Sequence, residues 1–272
     1  MSKKKLLFFS VVTSLLLSAC NAAKVPMSVK EHDMSSMEPV TGDETKSDWT
    51  LPKDPKANED VPMSIVIKDK HDKLIKQFET VSEKKMHLVI VSKDLSYFSH
   101  IHPTLKDNGE FTITTKFPAG GDYKMTAEMT PVGASEYSLE DHWVHVVGDE
   151  PKPKPIVPDK NLTKVIDGKK VTLSFENELK AKKNTNITFT LYDEQTKKPI
   201  KDLQPYLGTI GHAVAIDKDL KHFLHVHPIY TKTTGPEVTF MTYFPNKGIY
   251  RIWGQFNIDG NILTVPFTLE VF

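Results

Sequence analysis

Residues 86–103 read MHLVIVSKDLSYFSHIHP and residues 211–228 read GHAVAIDKDLKHFLHVHP, at an offset of 125 with nine of eighteen positions identical. Farther along, Phe117-Pro118 answers Phe244-Pro245, and Gly121-x-Tyr123 answers Gly248-x-Tyr250, at an offset of 127. Self-similarity on this scale marks a duplicated domain. In each copy two short apolar runs flank a turn signal, Lys93-Asp94-Leu95 and then Lys218-Asp219, which predicts a β-hairpin.

The rest of both copies reads as strand. Ile187, Phe189 and Leu191 alternate with Thr188, Thr190 and Tyr192, the period of a strand with one buried face. Ser64–Lys68, Phe111–Phe117 and Tyr123–Met129 read likewise, and Asp167-Gly168 and Asp259-Gly260 supply hairpin turns. No long stretch has helical spacing. The expected fold is all-β: two tandem immunoglobulin-like antiparallel β-sandwich domains from an internal duplication. The boundaries fall at residues 58–148 for the first lobe and 159–272 for the second. Between them, at 149–158, Pro151, Pro153, Pro155 and Pro158 make an extended linker.

The chain begins with a targeting segment. Lys3, Lys4 and Lys5 precede an apolar run over Leu6–Leu17, followed by Leu17-Ser18-Ala19-Cys20. The run is too short to span a bilayer, which takes about 20 residues. The small residues before Cys20 resemble the lipobox of bacterial lipoproteins, whose cysteine is lipidated and becomes the mature N-terminus. Residues 1–19 are therefore expected to be a signal peptide and Cys20 a lipid anchor. The protein would sit on the outer face of a cell membrane, Gram-positive by its lysine-rich composition. Residues 20–57, polar and without apolar period, read as a flexible stalk. His32, Met34 and Met37 lie within it; a soft metal site is conceivable there, and a polar tether is the plainer reading.

Cys20 is the sole cysteine of 272 residues. That excludes an intrachain disulfide, a multi-thiolate zinc site and a Cys-x-x-Cys redox motif. Thirty-five basic groups balance 35 acidic ones, against the strongly basic domain a nucleic-acid binder shows. Gly-x-Ser-x-Gly and phosphate-cradling glycine loops are absent from the sequence.

The 11 histidines carry the chemistry. His87, His100 and His102 recur as His212, His225 and His227. Residues i and i+2 of a strand share a face, so each His-x-His points one way. A two-residue loop puts His87 opposite His100, and a four-residue loop over 93–96 puts it opposite His102. Either register gathers the three imidazoles at cross-strand separations of about 4.5–5.5 Å. Three neutral imidazoles on one face suit Cu(II) or Zn(II). The expectation is one three-histidine metal site per lobe, holding copper ahead of zinc. Structural packing of the histidines in a non-metal surface module is the main alternative. A three-histidine zinc hydrolase or hydratase is a minor one, since no general base marks itself beside either triad. His222 points away from its triad by alternation, and His142 and His145 have no counterparts in the second lobe.

Met86-His87-Leu88, Asp94-Leu95, His100-x-His102-Pro103, Phe117-Pro118 and Gly120-Gly121-x-Tyr123 together resemble a largely uncharacterised family of bacterial secreted proteins and lipoproteins with β-sandwich repeats of His-x-His-Pro type. The resemblance covers both lobes. It implies a link to copper handling, with metal roles on the six matched histidines alone. A metal-handling protein would be the natural partner.

Overall fold

The structure is a computed structural model that describes residues 45–226, 228–229 and 232–272. The signal peptide, Cys20, the greater part of the stalk and His227 lie outside the described residues. Among those described, no helix is long and apolar enough to cross a membrane.

The first lobe is built from β1 (Lys46–Thr50), β2 (Val61–Lys68), β3 (His87–Ser92), β4 (Phe98–Ile101), β5 (Thr104–Leu105), β6 (Glu110–Thr115), β7 (Gly121–Met129) and β8 (Ser138–Val146). They form two antiparallel sheets, β1-β2-β6-β5 and β4-β3-β7-β8. The second lobe repeats the plan with β9 (Thr163–Ile166), β10 (Lys169–Phe175), β11 (Asn184–Asp193), β12 (His212–Asp217), β13 (Phe223–Val226), β14 (Glu237–Tyr243), β15 (Gly248–Ile258) and β16 (Asn261–Val271). Its sheets are β14-β11-β10-β9 and β13-β12-β15-β16. The place of β5 is held there by the single bridge Pro228↔Phe240. These are two tandem β-sandwiches of immunoglobulin plan. Each carries the tyrosine corner of that fold, Tyr123 Oη donating to Ala119 O at 2.9 Å and Tyr250 Oη to Asn246 O at 3.0 Å. The repeated Gly-x-Tyr of the sequence marks this corner.

The stalk expected through residue 57 ends sooner. Lys46–Thr50 pairs with β2 from Lys46↔Lys68 to Thr50↔Ser64, and Trp49, Leu51 and Ala57 pack against the first core. A half-exposed edge strand carrying Lys46 and Asp48 on its wet side has the composition of a tether. The turn signals did hold: Asp167-Gly168 joins β9 to β10 and Asp259-Gly260 joins β15 to β16, all four residues with positive φ.

Strands β3 and β12 are buried on both faces. Leu88 and Ile90 enter the core of the first lobe, and Ala213 and Ala215 that of the second. The alternate residues Val89, Val91, Val214 and Ile216 enter a third cluster shared by the lobes, with Leu95, Leu220, Phe223 and Trp253. The sheets β4-β3-β7-β8 and β13-β12-β15-β16 therefore face one another across an apolar seam. Phe98 stacks on Trp253 with ring centroids 4.6 Å apart, and Lys124 Nζ donates to Leu220 O at 2.6 Å. Ile156 of the proline-rich linker packs against the same seam. Burying such side chains contributes about 1.5–3 kcal/mol each, which is what holds the lobes together.

Candidate metal centre at the lobe seam

Hairpin register places the first histidines. Val89 pairs with His100 and Leu88 with Ile101, and Ser92 N donates to Tyr97 O, so the loop is 93–96. This is the four-residue alternative, and it brings His87 level with His102, ring centroids 5.0 Å apart. In the second lobe Val214 pairs with His225 and Asp217 N donates to His222 O, giving the same loop. Leu95 and Leu220 take positive φ in the two loops.

The described histidines of the two triads lie together. They meet across the seam, the rings of His87 and His225 at 5.0 Å, His100 and His225 at 5.3 Å, and His87 and His212 at 6.3 Å. One potential ligand nitrogen from each of His87, His100 and His225 lies within 4.8 Å of the other two. The described histidines expected as one centre per lobe thus lie in one shared cluster. The physical reason is that the His-x-His face of each hairpin is the face its sheet presents to the other lobe.

Hydrogen bonding fixes the rings. His87 Nε2 lies 3.0 Å from Val81 O, and His212 Nε2 lies 3.1 Å from Tyr206 O. Both carbonyls sit in two-residue turns, Val81–Lys84 and Tyr206–Thr209, with positive φ at both central residues. His100 Nδ1 lies 2.8 Å from Gln255 Oε1 and His225 Nδ1 3.1 Å from Glu128 Oε2. These four oxygens accept, so the outer ring nitrogens donate, and the tautomers follow from the network. Thr209 Oγ1, also 3.2 Å from His212 Nε2, donates to Gly211 O at 2.8 Å.

The inner nitrogens then turn lone pairs toward each other. His87 Nδ1 and His100 Nε2 are 3.0 Å apart, and His212 Nδ1 and His225 Nε2 are 3.2 Å apart. Lone pairs at that distance repel unless a cation, a proton or a metal ion, lies with them. The spacing approaches the ~3.3 Å between two ligands of a tetrahedral ion bound at about 2.0 Å. A contraction of at most about 1.5 Å along the longest edge of the His87–His100–His225 triangle would bring all three onto one ion. The donor set therefore fits a borderline divalent transition metal.

His102 stands beside the cluster with its Nε2 buried and unpartnered. Burial, aided by His100, His87 and Lys84, depresses its pKa from 6.5 to about 3. A groove of about 590 Å³ lined in part by Lys76, Lys84, His102 and Lys106 opens beside His102. Because His102 takes up a proton near pH 6.5 when unfolded but only near pH 3 when folded, the unfolded chain binds more protons between those limits. The metal-free protein should lose stability steadily as pH falls from 6.5 toward 3. In His102→Leu the loss should be shallower, as read from urea unfolding at a series of pH values; equal slopes would contradict the assignment.

Sequence reading missed four partners of the cluster: Val81, Tyr206, Glu128 and Gln255. Glu128 and Gln255 are related by the repeat offset of 127 and are polar residues inside apolar strands, which was the available signal. Tyr137 lies close enough to Glu128 that burial, with the charges of Glu128 and Glu136, pushes its hydroxyl up to about 12. Of the four remaining described histidines, His71 is exposed and three are engaged elsewhere. His222 bonds Asp217 and Asn246, His145 bonds Asp122, and His142 stacks on Trp49.

A family model described as "Domain of unknown function (DUF8832)" matches residues 39–147 and again 163–272. No curated protein matches. Among solved structures, similarity is found to a mutant of Salmonella alpha-2-macroglobulin (11% identity, 85% of this chain, 15% of that one, TM-score 0.29). It is found also to invasin, a bacterial integrin-binding protein (12%, 84%, 40%, 0.26). A third is a putative membrane anchored protein from Corynebacterium diphtheriae (9%, 83%, 57%, 0.25). The chain spans less than two thirds of each of these structures.

Proposed function

The chain belongs to the DUF8832 family, matched by both of its lobes, and from that premise we propose that it is a lipid-anchored, extracytoplasmic protein that binds one transition-metal ion at the seam between the lobes. The ligands are His87, His100 and His225, with His102 and His212 beside them, and the anchor is Cys20. The observation that carries the reading is the 4.8 Å triangle of ring nitrogens drawn from both lobes. Its support is the network that spends every outer N–H of four rings on fixed acceptors and aims the inner nitrogens at one another.

Copper(II) stands ahead of zinc. The donors are imidazoles without a thiolate or thioether, which disfavours Cu(I), and for such ligands divalent copper binds more tightly than zinc. A buried centre beside a lysine-lined groove suits sequestration, delivery to a metal-handling partner, or sensing. A second reading, that the rings are hydrogen-bonded packing of the seam, is favoured by the short contacts between them. Titration of the purified full-length chain in detergent with Cu(II) and with Zn(II) separates the two. One equivalent per chain, copper tighter, is expected. Two independent equivalents would restore separate lobe sites, and none would leave the packing reading.

A further inference from the structure

We infer that Glu128 and Gln255 are positioning residues exchanged between the lobes, each orienting the metal-facing imidazole of the other lobe, with the Glu128 carboxylate the dominant of the two. The inference rests on the metal reading above and deepens it.

In register, Glu128 of β7 lies opposite His87 of its own lobe, and Gln255 of β15 lies opposite His212 of its own. Glu128 reaches across the seam to His225, and Gln255 reaches back across it to His100. His100 and His225 are repeat equivalents, and so are Glu128 and Gln255, so the two bonds are reciprocal across the seam. Both residues are buried in the folded chain, at 8% and 5% exposure.

Their chemistry differs where their geometry matches. A carboxylate only accepts, so Glu128 holds the proton of His225 on Nδ1 and leaves the Nε2 lone pair facing the cluster. An amide can turn over. Here Gln255 Nε2 donates to Thr264 Oγ1 at 3.2 Å, which keeps Oε1 toward His100 Nδ1, so the amide holds the same tautomer but without a charge and less firmly than a carboxylate. Glu128 also brings a negative charge that raises the basicity of His225 as a ligand and offsets the charge of a bound cation. Partners of this kind behind a ligating histidine are worth about 10–100-fold in metal affinity.

The test uses full-length protein, CuCl2 as the probe, and the variants Glu128→Gln, Gln255→Glu and the double exchange. Affinity is read by chelator competition, the ligand field by electron paramagnetic resonance of bound Cu(II), and the metal-free fold by thermal unfolding. Glu128→Gln, nearly isosteric, is expected to weaken Cu(II) binding by about 10–100-fold and to alter the copper hyperfine coupling. The double exchange, which moves the carboxylate behind His100, should recover affinity to within a factor of a few. A carboxylate that merely packs the seam would not be replaced by one 127 residues away in the other lobe. If the wild-type chain binds Cu(II) and Glu128→Gln matches it, or if the double exchange stays as weak as the single, the positioning role is overturned while the metal site stands. A wild-type chain that binds no Cu(II) overturns both.

Discussion

Replacing His225 by alanine is expected to abolish metal binding by the whole chain, although it leaves His87, His100 and His102 of the first lobe in place. Two independent triads would lose half their capacity under this change. A shared centre loses one of its three closest ligands, and the remaining pair, His87 and His100, can satisfy each other through a single proton. The fall in affinity should exceed the roughly hundredfold upper range for loss of an outer partner. A confounding effect has to be removed first. His225 and Glu128 are buried together, with side-chain exposures of 3% and 10%, and stripping one partner from a buried pair costs about 3–5 kcal/mol. The double variant His225→Ala/Glu128→Gln carries no stranded carboxylate and should unfold near wild-type conditions while still binding no metal. Isothermal titration on both variants checks this. Half-stoichiometric binding in either would return the chain to one site per lobe.

How far the sequence could reach is clearest in β3 and β12. Their duplication, the hairpin and the common face of each His-x-His are all written locally, because strand periodicity and turn chemistry act over a few residues. The loop of four residues was one of two alternatives, and local spacing did not choose between them. What covers that face is not a local property. HLVIV and HAVAI are apolar at nearly every position, and such a run says that both sides are buried without saying by what. Here the second side is closed by the other lobe, and this converts two expected sites into one cluster. Glu128 and Gln255 escaped notice for the same reason: each looks like a lone polar residue in a core strand until the opposing sheet brings His225 and His100 to it. β1 shows the opposite failure, where a strand with one wet face has too few apolar residues to stand out from a tether. The lipid anchor at Cys20 and the copper assignment remain expectations of the sequence and of the donor set.

Truncating Trp253 should separate the lobes without unfolding either. Trp253 is 3% exposed and belongs to the seam cluster, not to the core of its own sandwich, which is built on Phe189, Phe240, Phe256 and Phe267. Its ring stacks on Phe98 of the other lobe and lies 6.0 Å from the Arg251 guanidinium. Trp→Ala at such a site costs about 3–5 kcal/mol in lost burial and cavity formation, and nearly all of that falls on docking. Removing that much from a seam of eight buried side chains should uncouple the two halves, so urea unfolding should split into two transitions. The apparent copper affinity should fall in proportion, because the ligands come from both sides and now meet in only a fraction of the molecules. Wild-type protein saturated at a thousand times its dissociation constant should gain about 4 kcal/mol of stability from the ion, most of it as resistance to opening of the seam. Phe189→Ala supplies the contrast, since it should unfold the second lobe outright and leave a first lobe that still unfolds cooperatively, at lower urea for want of its seam contacts. If Trp253→Ala kept one cooperative transition and wild-type copper affinity, the seam would not be what assembles the histidines, and the shared centre would lose its structural basis.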